Sequence, residues 1–544
     1  MAQGPVKDAK DAKPEARADA KPDPQLPHHF TPEEKITTGS VNAGRQRIDY
    51  RAVAGSLVVH PKGWDDVAAR LDLEPKEDRD KKGGDDGGKP RPTMAEASMF
   101  FAAYFKQGAA PETRPITFLF NGGPGSASVW LHMGAFGPRR VSTPGDRHLQ
   151  AAPYPLVNND QTLLDVSDLV FIDAPGAGFS RITGPDKEKA FWGVDADAHA
   201  FADFIVAFLG KYGRWNSPKY LFGESYGTTR SAVLIRELEN ERLVDFNGVV
   251  LLSQVLDFSL LPDVPEREPG HDVAYEVTLP TFAATAAYHK RLGADVPSDL
   301  KTLVAEVEHF ATTDYAIALH QGAALPEAER ARIAAKLHAY TGLPVDYIRK
   351  ANLRITGGEF EKMLRDDGVE TTGRLDTRFA GPAMDPLEKN PDYDPYTAAV
   401  ASSYVSAFND YVRRELHFGE DRVFKPFAET DGHWDFEHRV SGGGENFGTG
   451  LNVMGDLASA MKYNPNLKVL LNAGYYDLAT PFYEGIYEMH HLPMPDSLQA
   501  NIDYRFYESG HMVYAQEASL KALHDNVADF IRRTGAARVP PPAR

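Results

Sequence analysis

Cysteine is absent from all 544 residues, which excludes disulfides, thiolate metal sites and a cysteine nucleophile together. No apolar run approaches the roughly 18 to 20 residues that a membrane-spanning helix needs, so no membrane span is expected. Positive charge is scarce: 59 Lys and Arg face 77 Asp and Glu, a net charge of −18, with no dense basic cluster. Nucleic acid is therefore not an expected partner. The N-terminus, "MAQGPVKDAKDAKPEARADAKPDPQLPHHF", lacks the apolar segment of a secretory signal and cannot offset its own ordering entropy. It reads as a disordered leader over residues 1–35. Such a leader fits a mature periplasmic or secreted protein and a cytoplasmic start equally.

What is present describes a folded chain: hydrophobic residues make up 42% and charged residues 25%, a globular balance. Short, nearly continuous apolar runs recur at 115–120, 167–173, 219–222, 248–253 and 466–472. Runs apolar on both alternating faces predict strands buried on both sides, as in a parallel sheet. Phe201, Phe204, Ile205, Phe208 and Leu209 follow helical spacing between two such runs, and this alternation predicts an α/β fold. "RIDYRAVAGSLVVH" and "ASMFFAAYF" read as two strands flanking a polar Gly/Pro segment at 74–92, while "GSVNAGR" and "SGGGENFGTG" read as turns. Between 258 and 440 the pattern turns helical, predicting a cap inserted between core segments 36–257 and 441–535, with a flexible tail at 536–544.

Chemistry concentrates in "FGESYG", residues 222–227. A buried strand before it and a helical pattern after it are the context of a nucleophile elbow, whose glycines leave room for a strained turn. Ser225 is then a nucleophile needing a base and an orienting acid. In this arrangement acid and base follow later strands: Asp477 in "NAGYYDLATPF" and His511 in "YRFYESGHMVY". Competing positions are His490, His491 and His524, the last in a helical pattern, and Asp503 within a strand-like segment. Oxyanion donors are expected from the amides of Tyr226 and, in "FLFNGGPGSAS", Gly123. His433, Asp435 and His438 in "GHWDFEH" lack the tight spacing of zinc enzymes. Neither a metal nor an organic cofactor is expected.

"NGGPGSAS", "DAPGAGFS", "GESYG", "NAGYYDLATPF" and "GHMV", in this order, resemble the serine carboxypeptidases of the α/β-hydrolase fold. The resemblance implies an α/β-hydrolase with a mostly parallel sheet flanked by helices, carrying a helical cap. It implies release of C-terminal amino acids from peptide substrates through an acyl-enzyme, with Ser225, Asp477 and His511 as triad and Gly123 and Tyr226 as oxyanion hole. It also implies that Asn121 and Glu224 hold the substrate carboxylate; a glutamic acid donates to a carboxylate only while protonated. The chain departs from the family pattern at Leu119 in place of Trp, Ser126 in place of Cys, Ala135 in place of a second Glu, and Ala174 in place of Gln. Other acyl hydrolases (an esterase, acyltransferase or aminopeptidase) and a binding protein on the same fold are the rival readings. Oligomeric state, side-chain preference and physiological substrate are not legible.

Overall fold

The short apolar runs form the middle of a ten-stranded sheet in the computed structural model. The structure describes residues 29–64, 94–263, 265–365, 369–439 and 450–535. Leader residues 1–28, the polar segment 74–92, the glycine-rich stretch 441–449 and the tail 536–544 lie outside the described residues. The strands are β1 (Glu34–Ala43), β2 (Gln46–Val59), β3 (Glu96–Lys106), β4 (Ile116–Phe120), β5 (Arg139–Val141), β6 (Leu156–Asn158) and β7 (Asp168–Ile172). They continue as β8 (Arg181–Thr183), β9 (Lys219–Glu224), β10 (Gly248–Leu252), β11 (Glu370–Thr372), β12 (Ala380–Pro382), β13 (Lys468–Gly474) and β14 (Ile502–Tyr507).

The sheet order is β1-β2-β3-β7-β4-β9-β10-β13-β14, with β8 joined to β3. Strands β7 through β14 along this path pair in parallel, and β1, β2 and β3 complete one side in antiparallel register. Every residue of β4, β7, β9 and β10 is buried, because helices cover both faces of a parallel sheet. Each fully enclosed Phe or Leu there contributes roughly 1.5–3 kcal/mol. The helix Val194–Tyr212 turns Phe201, Phe204, Ile205, Phe208 and Leu209 inward and ends at Gly213, whose φ of 64° closes the helix as glycine readily does.

Ordered backbone reaches back to His29, inside the segment assigned to the leader: the amides of His29 and Phe30 donate to the Glu96 carboxylate. "GSVNAGR" is a turn only at its end, since residues through Ala43 belong to β1 and pair with β2. Strand β1 escapes a sequence reading because its burial pattern is mixed and its support comes from pairing with β2.

The stretch from 258 to 440 has two attachments. Helices Val273–Tyr288, Leu300–Phe310, Glu327–Thr341 and Gly357–Met363 share a hydrophobic cluster of their own, which also takes in Leu478. The helix Pro395–Arg414 instead sends Tyr396, Tyr404, Phe408 and Tyr411 into the main cluster around the sheet. A small antiparallel pair, β11–β12, lies between these helices in sequence. Among the described residues, no helix is long and apolar enough to cross a membrane.

Candidate active site

Parallel strands end on one edge of the sheet, and the carboxyl ends of β4, β9, β10, β13 and β14 lead into the segments bearing Asn121, Ser225, Ser253, Asp477 and His511. Ligands bind α/β sheets at such an edge. Ser225 follows β9 directly and precedes the helix Tyr226–Arg236, with φ of 60° and ψ of −133°. A non-glycine residue there carries strain of about 1–3 kcal/mol, and neighbouring contacts hold it: its amide donates to Leu252 O at 3.0 Å, and the Thr228 amide donates to Ser225 O at 2.7 Å. The flanking glycines are required by space. A Cβ at Gly223 would meet Gly227 O at 2.2 Å.

After β4, the segment 121–126 turns against this elbow. A Cβ on Gly122 would lie 2.4 Å from Tyr226 N, so the two amides expected to hold an oxyanion, those of Gly123 and Tyr226, stand on adjoining segments of backbone. Arg230, with no exposed surface, fixes the start of this loop. Its Nη1 donates to Asn121 O at 2.8 Å while its Nε and Nη2 hold the buried Asp197 at 2.6 and 3.3 Å. The Asn121 side-chain oxygen accepts from the Leu131 amide at 3.2 Å.

Asp477 and His511 come together across the loops after β13 and β14. His511 Nδ1 is 2.8 Å from Asp477 Oδ2, and both residues are buried. The Asp477 carboxylate also accepts from the amides of Ala479 and Thr480 and from Thr480 Oγ1. Burial disfavours charge on the His511 ring, but the adjacent Asp477 more than offsets this and leaves its pKa raised. Segment 374–378 ties the two loops together: the Leu478 amide donates to Arg374 O at 3.1 Å and the His511 amide to Leu375 O at 2.7 Å. The Ser253 hydroxyl accordingly meets the other side of the base loop, donating to His511 O at 2.7 Å.

Ser225 and His511 line one cavity of about 210 Å³, together with Asn121, Gly123, Glu224 and Trp130. Among the described contacts there is no hydrogen bond between Ser225 Oγ and His511; such contacts are often long before substrate binds. Arg374, Tyr396, Val400 and Phe427 also line it, with the Phe427 ring centre 5.6 Å from that of Trp130. Glu224 is buried, and burial pushes its carboxyl up to about 7 against the lowering influence of His511, Tyr514 and Asn121. At mildly acidic pH it is a neutral donor.

The other sequence candidates lie elsewhere. His524 contacts Asp165 and Asp525, and Asp503 pairs with Arg533. His490 ends the helix Phe482–His490, with His491 following it. Of the "GHWDFEH" residues, His438 is clasped between Asp195 Oδ1 at 2.6 Å and Asp456 Oδ2 at 2.7 Å. Among the described residues, no group of three or more His, Asp or Glu is disposed to hold a metal ion. Sequence reasoning missed Tyr514, Trp130, Phe427 and segment 374–378, none of which carries a local signal.

A strained serine at the carboxyl end of a buried parallel strand, with a buried Asp–His pair on later loops, defines the α/β-hydrolase fold. Residues 91–258 match the family model described as serine carboxypeptidase. Over that stretch the chain is similar to the serine carboxypeptidases. Serine carboxypeptidase-like 36 of Arabidopsis thaliana is 29% identical over 31% of this chain and 34% of its own length. Serine carboxypeptidase S10 family member 1 of Dictyostelium discoideum is 30% identical over 24% and 29%. The chain thus matches about a third of the length of these curated relatives. The crystal structure of Kex1(delta)p, a prohormone-processing carboxypeptidase from Saccharomyces cerevisiae, aligns over 89% of this chain and 91% of its own with a TM-score of 0.53 and 14% identity. That likeness is one of fold.

Proposed function

We propose that the protein is a serine carboxypeptidase, releasing C-terminal amino acids from peptides through an acyl-enzyme. The observation that carries this reading is the position of Glu224: a buried carboxyl, raised to about 7, lining the same cavity as Ser225 and His511. A hydrolase indifferent to chain ends has no use for an acid held neutral beside its nucleophile, whereas a terminal carboxylate needs donors.

In this mechanism Ser225 Oγ attacks the scissile carbonyl while His511 accepts its proton. Asp477 keeps the imidazole in the required tautomer and balances its charge. The amides of Gly123 and Tyr226 receive the developing oxyanion. His511 then returns the proton to the departing amino acid, and water cleaves the acyl-enzyme by the reverse sequence. Asn121 and protonated Glu224 donate to the substrate's terminal carboxylate and set the distance from chain end to nucleophile. The apolar wall of Trp130, Val400 and Phe427 receives the adjoining side chains.

The decisive experiment compares an N-blocked dipeptide bearing a free C-terminal carboxylate with its C-terminal amide and a corresponding ester, from acidic to neutral pH, with Ser225→Ala as control. Preference for the free acid, lost in the control, supports carboxypeptidase action. Equal or better cleavage of amide or ester keeps the triad and moves the protein to the broader acyl hydrolases. Intact Ser225 that resists a fluorophosphonate in the folded protein favours a binding protein instead.

A further inference from the structure

A carboxyl group that recognises another carboxylate must be held in one orientation, since either of its oxygens can carry the proton. Glu224 is enclosed, and one phenol reaches it from a different part of the fold. The Tyr514 hydroxyl lies 2.9 Å from Oε2 and 3.2 Å from Oε1. Tyr514 belongs to the short turn Val513–Ala515 just beyond His511, so base and phenol are carried by one stretch of chain. Its ring is seated on a notch: a Cβ at Gly134 would come within 2.5 Å of the Tyr514 ring. Next to that notch Ala135 is buried and contributes only a methyl group. The hydroxyl of Tyr514 is therefore the side-chain donor that the surrounding turn supplies to Glu224.

We infer that Tyr514 is a positioning residue for carboxylate recognition: its hydroxyl, which reaches both oxygens of Glu224 and lies nearer Oε2, holds the carboxyl in one orientation for offering its proton to substrate. This rests on the reading of Glu224 given above. The groups that influence Glu224 are His511 and Asn121, which like Tyr514 favour its charged form, and Asp477, which opposes it. The phenols of Tyr396 and Tyr404 stand close enough to feel its charge. Burial keeps the Tyr514 phenol protonated well beyond its usual range, so it remains a donor wherever the protein is folded and active.

The test measures kcat and KM across pH for the free-acid peptide and the matching ester, in the natural protein, Tyr514→Phe, Glu224→Met and the double variant. Phenylalanine keeps the ring seated on Gly134, and fluorophosphonate labelling of Ser225 verifies that the elbow is intact. Tyr514→Phe is expected to raise KM for the free acid roughly three- to tenfold, the usual worth of a hydrogen bond between neutral groups, with a smaller change in kcat and in ester cleavage. It should also move the alkaline limb of the free-acid profile upward, because a carboxylate that loses a donor is protonated more easily. In the double variant the loss should match that of Glu224→Met alone, because methionine fills the space and offers no donor. Equal losses on acid and ester, an unmoved alkaline limb, or losses that multiply in the double variant would overturn the inference. If Glu224→Met lowers acid selectivity and Tyr514→Phe does not, only this inference fails. If Glu224→Met leaves selectivity intact, the reading of Glu224 fails and this inference with it.

Discussion

Arg230 and Asn121 are joined by a 2.8 Å hydrogen bond from guanidinium to main-chain carbonyl, behind the cavity and out of reach of solvent. The same guanidinium neutralises Asp197 and lies 4.3 Å from the centre of the Phe201 ring. One buried cation thus braces the loop bearing Asn121 and Gly123 against the helix that follows Ser225.

Arg230→Met should destabilise the protein by about 3–5 kcal/mol, because it leaves Asp197 charged, buried and unpaired. Adding Asp197→Leu should restore most of that stability while kcat/KM stays depressed, since nothing then grips Asn121 O. Denaturant melts and kinetics on the same pair of variants separate the two effects; recovery of activity along with stability would show that the brace is dispensable.

Asp477→Asn should retain the fold and lower kcat about 10⁴-fold, the loss expected when the imidazole is presented in the wrong tautomer. The check is kcat at saturating substrate with an unchanged melting temperature. A drop of less than tenfold would remove Asp477 from the triad.

Free-acid cleavage should fall as pH rises through about 7, where Glu224 loses its proton, while ester cleavage lacks that limb. Stability carries the same signature. The folded-state pKa lies above the ordinary value of 4.5, so the folded protein binds the proton more tightly and loses stability as pH climbs from 4.5 towards 7. Glu224→Gln should therefore gain on the natural protein across that window in thermal melts.

His438 gives the opposite case. Burial alone would lower its pKa, but Asp195 and Asp456 raise it to about 9. Its contribution is complete below the ordinary value of 6.5 and fades as pH rises through about 9. His438→Gln should cost about 1–3 kcal/mol at pH 6 by removing one of the two cations on the buried Asp456, whose other oxygen keeps Arg236, and the gap between the two melting curves should narrow above pH 9. A gap independent of pH would mean that His438 acts by packing alone.

Much of the frame was legible because its signals are local. The runs at 116–120, 168–172 and 248–252 are buried on both faces, so they announce themselves by continuous apolarity, and the Ser225 elbow needs glycines at fixed short offsets. Asp477 and His511 could be named from strand-to-loop order, and the structure brings them within hydrogen-bonding distance. What escaped depends on separation in the chain. Tyr514 reaches Glu224 across 290 positions, Arg230 reaches Asn121 across 109, and β1 is held by its neighbour rather than by its own pattern. No periodicity records such meetings.

The carbonyls of Arg374 and Leu375 hold the acid and base loops from a segment far from either in sequence. Because both contacts are made by main chain, what the pair Asp477 and His511 depends on is the backbone path of 374–378 rather than the side chains along it. An insertion or deletion there would part the two loops, whereas a simple side-chain exchange would leave both anchors in place.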